Sequence, residues 1–105
     1  MPRGDIYELP ASRSGRGHEQ RGRRYGVVLQ AESLMTLATW VVAPTSARVR
    51  PASFRPQIEV NGRSTRVLAE QMGPVSPERL VKRVGHLSFA ELRAVEDAAR
   101  AVLDL

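Results

Sequence analysis

The feature that most constrains the fold is the dipeptide Asn61-Gly62, which separates two short runs, QIEV (57–60) and RSTRVLAEQ (63–71). Asn and Gly adopt positive φ more readily than other residues, so this pair is typical of the two-residue type I′ turn. Type I′ turns join antiparallel strands whose side chains alternate between two faces. We therefore predict a β-hairpin centred on residues 61 and 62.

Other stretches rich in β-branched and apolar residues also predict strands. They are GDIYEL (4–9), YGVVLQA (25–31), TLATWVVAPTS (36–46) and KRVGHL (82–87). The second and third should pair as a hairpin-like unit, with Pro44 ending the regular pattern. An irregular connection framed by Pro51 and Pro56 then leads to the Asn-Gly hairpin.

The pattern changes to helical signals after the hairpin. Ser76 followed by Pro77 predicts a capped single turn that runs through Leu80. Ser88 and Glu91 have the spacing of a capping box, which predicts a final helix over residues 88–104. Apolar residues then recur on one helical stripe, which should pack on the sheet. They are Leu92, Val95, Ala99 and Val102.

Five or six short strands and one C-terminal helix predict a mainly β fold. We expect a small, SH3-like, strongly curved antiparallel sheet or partial barrel. A length of 105 residues fits one domain, residues 1–105, better than two. The core of such a chain is modest, so homodimerisation would add buried area. Trp40 is expected in the core or at the dimer interface.

Several classes of chemistry are disfavoured by the composition. The chain has no cysteine, which excludes disulfides and thiolate metal sites. His18 and His86 are too far apart in sequence for a metal motif, and neither has an obvious Asp partner by pattern. We expect neither metal nor cofactor. No GxSxG or phosphate-binding glycine loop occurs.

A pair of catalytic carboxylates stays open, because Glu8, Glu19 and Glu70 lie near predicted strand ends. The N-terminus lacks the apolar core of a signal peptide, and no stretch reaches the roughly 18 apolar residues of a membrane helix. We therefore expect a cytoplasmic protein without a membrane partner.

The charge is basic and carried by arginine. The formal net charge is +5, and 15 of the 16 basic residues are arginine. Residues 10–23 hold Pro, Ser and Gly with almost no apolar side chain, which predicts a long, flexible, basic loop. Guanidinium groups bind phosphate through two parallel hydrogen bonds. These arginines therefore favour a polyanion or an acidic protein as partner. The cluster is Arg13, Arg16, Arg21, Arg23 and Arg24.

Arg, Thr, Ser, Glu and Gln near strand ends suit phosphoryl chemistry. RNA supplies its own nucleophile, since the ribose 2′-OH can attack the adjacent phosphodiester. A protein that cleaves RNA must then hold the geometry, stabilise the charged transition state and move protons. Arginine keeps its charge at any physiological pH, so we expect it to do electrostatic work first.

The order of segments resembles the MazF/PemK-type toxins of toxin–antitoxin modules, over nearly the whole chain. The resemblance rests on RGDIY (3–7), GHEQ (17–20), Arg24 before a strand, Thr45-Ser46 at the end of the next strand, and Glu70-Gln71. Proteins of that family are ribosome-independent, sequence-selective endoribonucleases with the MazF/CcdB-like fold. The resemblance implies a homodimer that cleaves single-stranded RNA without metal, leaving a 2′,3′-cyclic phosphate and a 5′-hydroxyl. It also implies a cognate acidic antitoxin.

Site residues follow from the same resemblance. Arg24 falls on the family's catalytic arginine and Thr45 on its catalytic threonine. Arg24 would stabilise the phosphorane and assist proton transfer, Thr45 would bind the phosphate, and Glu19 would orient Arg24 or contact RNA. Further RNA contacts are expected from His18, Gln20, Arg21, Arg23, Tyr25 and Ser46.

The family's arginine is normally followed by proline, whereas Tyr25 follows Arg24 here. Tyrosine neither fixes φ nor removes an N–H, so the backbone at Arg24 is expected to differ, with Arg23 as an alternative catalyst. Tyr25 could stack on a base or pack in the core. The residues alone also allow Arg24 to be a solvated loop arginine, Thr45 to end a strand, and Glu19 to neutralise neighbouring charges.

Two other functions remain open from the sequence. The first is a non-catalytic module that binds nucleic acid or protein on the same fold. The second is a gyrase-inhibiting toxin, whose family branch carries an aromatic residue near the C-terminus. This chain ends in AVLDL, which disfavours the gyrase toxin.

Overall fold

The computed structural model describes residues 3–10 and 24–105. In this part of the chain, strands in the order β4-β5-β3-β2-β1-β7 form one antiparallel sheet, and β6 pairs with β3 beside it. One α-helix follows the last strand. The elements are β1 (Asp5–Leu9), β2 (Arg24–Val28), β3 (Trp40–Ser46), β4 (Gln57–Val60), β5 (Arg63–Val67), β6 (Gly73–Val75), β7 (Lys82–His86) and α1 (Phe89–Leu103).

The predicted fold class is confirmed, because the described residues form a curled antiparallel sheet with one C-terminal helix. The predicted hairpin is confirmed as well. Asn61 and Gly62 have φ of 53° and 80°, which is the double positive φ that a type I′ turn requires. The strands that they join pair from Gln57↔Arg66 to Val60↔Arg63.

The capping box at the start of α1 is confirmed and extends to the sheet. Ser88 Oγ accepts from the Glu91 N–H at 3.1 Å, and Glu91 Oε1 accepts from the Ser88 N–H at 2.9 Å. Glu91 Oε2 accepts from the Glu59 N–H at 3.0 Å. One carboxylate therefore closes the first turn of α1 and fastens it to β4, an edge strand of the sheet.

The apolar stripe of α1 is shorter than predicted. Val95 is fully buried and Leu92 packs against the core cluster. Ala98, which the stripe had omitted, is buried, whereas Val102 is 37% exposed. The prediction for Val102 was wrong, since burial along α1 ends at Ala98 and the partly buried Ala99. The core cluster comprises Ile6, Val27, Ala43, Ile58, Val60, Val67, Leu87 and Val95.

The connection between β2 and β3 is longer than predicted, because β2 ends at Val28 and β3 begins at Trp40. Side chains organise this connection. Gln30 donates to the Leu34 carbonyl at 2.9 Å and accepts from the Val41 N–H at 3.1 Å. The Trp40 indole N–H donates to the Met35 carbonyl at 3.0 Å, and its ring is partly buried. These bonds replace strand pairing before Trp40.

Three other boundaries differ from the prediction. β5 ends at Val67 and is followed by a 3₁₀ turn at Ala69–Gln71. The turn Pro77–Arg79 forms where predicted, but the Ser76 side chain makes no capping hydrogen bond. β6 was not predicted, since Gly and Pro are depleted in strands. It forms because β3 offers a free edge along Trp40–Val42.

Candidate active site

Arg24 is the first residue of β2 and lies opposite Leu9 of β1. The residue as a whole is partly exposed, but its Nε atom is buried and has no hydrogen-bond partner. In the described part of the chain no carboxylate forms an ion pair with Arg24. A buried donor without an acceptor costs free energy. The guanidinium is therefore held with an unused N–H.

Thr45 lies beside Arg24 through a contact with the next residue. The backbone N–H of Tyr25 donates to Thr45 Oγ1 at 3.3 Å, so the hydroxyl sits next to the peptide unit that joins Arg24 to Tyr25. Thr45 is only 3% exposed. Its hydroxyl donates no hydrogen bond within residues 3–10 and 24–105. Among the described residues, Arg24 and Thr45 each therefore carry a donor without an acceptor, on the neighbouring strands β2 and β3.

The strands are close together just before this point. Gly26 pairs with Pro44, and a Cβ on Gly26 would lie 2.6 Å from Val42 Cγ1. Glycine is thus required sterically at the last pair between β2 and β3. The structure corrects the prediction that Pro44 ends the regular pattern, because β3 continues to Ser46. The Pro44 carbonyl accepts from the Leu68 N–H at 2.8 Å, which holds β3 to the segment after β5.

Ser46, a predicted RNA contact, is partly exposed at the end of β3. Its Oγ accepts from the Arg48 N–H at 3.2 Å, and its backbone pairs with Arg66 of β5. The side chain of Arg48 is exposed beside it. The surface at the end of β3, next to Thr45, thus carries the Ser46 hydroxyl and the cationic side chain of Arg48.

Glu70 was left open as a possible catalytic carboxylate, but its charge is already paired. Its Oε2 accepts from Arg55 Nε at 2.9 Å and lies 2.8 Å from Arg55 Nη2. The other oxygen, Oε1, is buried without a hydrogen-bond partner. Arg55 also donates to the Arg50 carbonyl at 3.2 Å. This ion pair links the connection between β3 and β4 to the turn after β5. It neutralises Arg55, whereas Arg24 has no carboxylate partner among the described residues.

Tyr25 is partly buried and packs against the core cluster. The packing alternative therefore describes this side chain, and base stacking by its exposed part stays a prediction. The remaining predicted site residues lie outside the described part of the chain. They are His18, Glu19, Gln20, Arg21 and Arg23, together with the rest of the predicted basic loop from residue 11.

A second polar cluster, which the sequence pattern did not predict, lies between β1 and the edge strand β7. Asp5 is fully buried, and its Oδ1 lies 2.8 Å from His86 Nδ1. Its Oδ2 faces Arg83 Nε at 3.2 Å without hydrogen-bond geometry. Burial raises the pKa of Tyr7 above its usual value, with Asp5 adding to the rise and Arg83 opposing it. The expectation that His86 lacks an Asp partner was wrong, because the partners lie 81 positions apart.

Within residues 3–10 and 24–105, no three His, Asp or Glu side chains are grouped as a metal site would require. Over the same residues, the helix is too short and too polar to cross a bilayer.

Comparisons with known proteins converge on one group. A model of the family described as PemK-like, MazF-like toxins of type II toxin–antitoxin systems matches residues 2–103. A candidate toxin of Mycobacterium tuberculosis, Rv3098A, is 47% identical over 70 residues, which are 67% of this chain and 65% of that protein. The chain thus spans less than two thirds of that relative. The endoribonuclease MazF9 of the same organism is 30% identical over 116 residues, covering 100% of this chain and 98% of MazF9.

Solved structures show the same fold. A mycobacterial endoribonuclease bound to its cognate antitoxin superposes with a TM-score of 0.81 at 15% identity, covering 100% of this chain and 96% of that one. The M. tuberculosis toxin MazF-mt6 gives 0.75 at 17% identity, with 98% of both chains covered. MazF from Deinococcus radiodurans gives 0.76 at 21% identity, covering 100% of this chain and 97% of that one.

Proposed function

Because this chain belongs to the PemK-like, MazF-like toxin family of type II toxin–antitoxin systems, we propose that it is an endoribonuclease toxin that cleaves single-stranded RNA. The ribose 2′-OH attacks its own phosphodiester, and the products are a 2′,3′-cyclic phosphate and a 5′-hydroxyl. The relative MazF9 is named an endoribonuclease. The family resemblance implies that this reaction needs no metal, and the nucleophile belongs to the substrate.

The observation that carries this proposal is the pair of unused donors at Arg24 and Thr45. In the transition state, negative charge accumulates on the nonbridging oxygens of the phosphate. Donors fixed in advance near that charge lower the barrier, and each is worth about 10²–10³ in rate. Arg24 supplies charge and the Nε–H, and Thr45 supplies its hydroxyl proton.

The remaining roles rest on the family resemblance. Glu19 orients Arg24 or contacts RNA. Tyr25 and Ser46 contact the RNA from the described part of the chain. Further contacts come from His18, Gln20, Arg21 and Arg23.

An acidic antitoxin is the partner that the charge supports. The net charge is +5, and Arg24 has no counter-ion within the described residues. An acidic segment of the antitoxin would supply one and so compete with RNA. A solved structure of similar fold is a mycobacterial endoribonuclease in complex with its cognate antitoxin. The cytoplasm, where RNA is found, is the compartment that follows.

A homodimer is supported by the apolar side chains left at the surface. Several are about half exposed or more in the single chain, and a second copy would cover part of this surface. They are Leu34, Leu37, Val81, Phe89, Leu103 and Leu105.

The test incubates the purified protein with mixed single-stranded RNA in EDTA and identifies the ends of the products. We expect 5′-hydroxyl and 2′,3′-cyclic phosphate ends. Arg24→Ala and Thr45→Ala should each abolish cleavage while the chain stays folded by circular dichroism. Arg63→Ala is the matched control, because Arg63 is an exposed arginine of the hairpin and its loss removes the same charge. It should retain activity.

Full activity in the folded Arg24→Ala protein would overturn the role of that residue. RNA binding without cleavage by the unmodified protein would instead identify a non-catalytic binding module. Mapping the cleavage positions on the same RNA would then give the recognition sequence.

A further inference from the structure

The pairing of β3 with β2 ends where its pairing with β5 begins, at Thr45. The register with β2 ends at Gly26↔Pro44, and the register with β5 on the opposite edge begins at Thr45↔Val67. Tyr25 is therefore the residue one position beyond the last pair with β3. Its N–H donates to the Thr45 hydroxyl at 3.3 Å, where a paired strand would offer a carbonyl.

Among the described residues, the carbonyl across β2 from this N–H is already bonded. Glu8 lies opposite Tyr25 on β1, and the Glu8 carbonyl accepts from the Val81 N–H at 3.0 Å. The Tyr25 N–H thus faces β3, and Thr45 Oγ1 is the acceptor that the structure gives it. Removing this N–H would take one bond from the Thr45 hydroxyl and leave the pairing of β1 with β2 in place.

This bond determines what the Thr45 hydroxyl can do. A threonine hydroxyl has one proton and two acceptor positions, and Tyr25 occupies an acceptor position. The proton is left without an acceptor in the described part of the chain, although Thr45 is 97% buried. A hydroxyl held in this way is oriented as a donor.

We propose that the backbone N–H of Tyr25 is a positioning group that fixes the Thr45 hydroxyl as a hydrogen-bond donor to the scissile phosphate. The proposal rests on the proposed function. It applies to this chain in particular, because proline, the residue that normally follows the arginine in the resembling family, has no N–H to donate. The residue type at position 25 thereby sets how tightly Thr45 is oriented.

The test compares Tyr25→Pro with Tyr25→Ala, which loses the same ring but keeps the N–H. We expect Tyr25→Pro to cleave RNA about tenfold more slowly than Tyr25→Ala under single-turnover conditions, the effect of one lost hydrogen bond. Binding of a DNA copy of the cleaved oligonucleotide should be equal in the two variants.

A second measurement does not depend on cleavage or on folding of the proline variant. In a ¹H–¹⁵N spectrum, Thr45→Val should move the Tyr25 amide proton upfield and speed its hydrogen exchange, while the Val27 amide stays unchanged. An unmoved Tyr25 amide overturns the proposal. Equal cleavage by Tyr25→Pro and Tyr25→Ala in an active protein also overturns it and leaves the proposed function standing. An unmodified protein that leaves RNA intact overturns the proposed function itself.

Discussion

Two regions of the described chain differ in whether their polar groups have hydrogen-bond partners. They are the junction of the hairpin with α1 and the place where β2 diverges from β3. At the junction, both oxygens of Glu91 accept backbone N–H groups. At the divergence, Arg24 Nε is buried without an acceptor, and the Thr45 hydroxyl accepts a bond but donates none in the described residues. Unsatisfied buried groups are costly, and in the proposed function the scissile phosphate offsets this cost at the second region. We therefore propose that the first region serves stability and the second serves function.

The largest expected effect is on RNA cleavage, in a variant that keeps the positive charge at position 24 but changes its hydrogen-bond donors. Arg24→Lys keeps the positive charge but removes the Nε–H and the planar fork. We expect single-turnover cleavage to fall by about 10²-fold. Chemical denaturation should show a change in the free energy of unfolding below about 0.5 kcal/mol, because Arg24 forms no ion pair in the described chain. Equal loss of stability and activity would remove the contrast between the regions.

The reverse pattern is expected at the junction. Glu91→Ala removes the acceptor for the Ser88 and Glu59 N–H groups and should lower the free energy of unfolding by about 1–3 kcal/mol. Cleavage at a temperature where the variant is folded should be unchanged. Glu78→Ala is the control, since Glu78 is exposed. A stability loss as large in Glu78→Ala would show that charge, not capping, is responsible.

The smallest expected effect tests the turn of the hairpin. Gly62 has a φ of +80° and open space around a Cβ position, so Gly62→Ala introduces backbone strain without a clash. We expect a loss of about 1 kcal/mol in unfolding free energy. Gly85→Ala is matched, because Gly85 also has open space and no positive φ. Gly62→Ala should melt at a lower temperature than Gly85→Ala. Identical melting temperatures would contradict backbone strain at position 62.

Local signals were enough to predict the hairpin and the capping box, because each depends on residues within four positions of one another. The link from Glu91 to Glu59 and the contact of Asp5 with His86 join residues 32 and 81 positions apart, and no local pattern reports them. β6 was not predicted, because its formation depends on a free edge of β3.

The candidate site divides in the same way. Arg24 and Thr45 were chosen through the family resemblance, and their proximity follows from the pairing of β2 with β3. The sequence alone could not show that the donors of these two side chains lack acceptors in the described part of the chain. That state depends on where β3 leaves β2, which is a property of the folded sheet.

The most direct test of the account is the Nε–H resonance of Arg24 in a ¹H–¹⁵N spectrum, assigned by its absence in Arg24→Lys. A DNA copy of the cleaved oligonucleotide, which lacks the 2′-OH, binds without reacting. On its addition, the Arg24 Nε–H signal should move downfield and exchange more slowly with water, while that of Arg63 stays unchanged. A saturated complex in which the Arg24 signal does not move would contradict the claim that this donor is held for the phosphate.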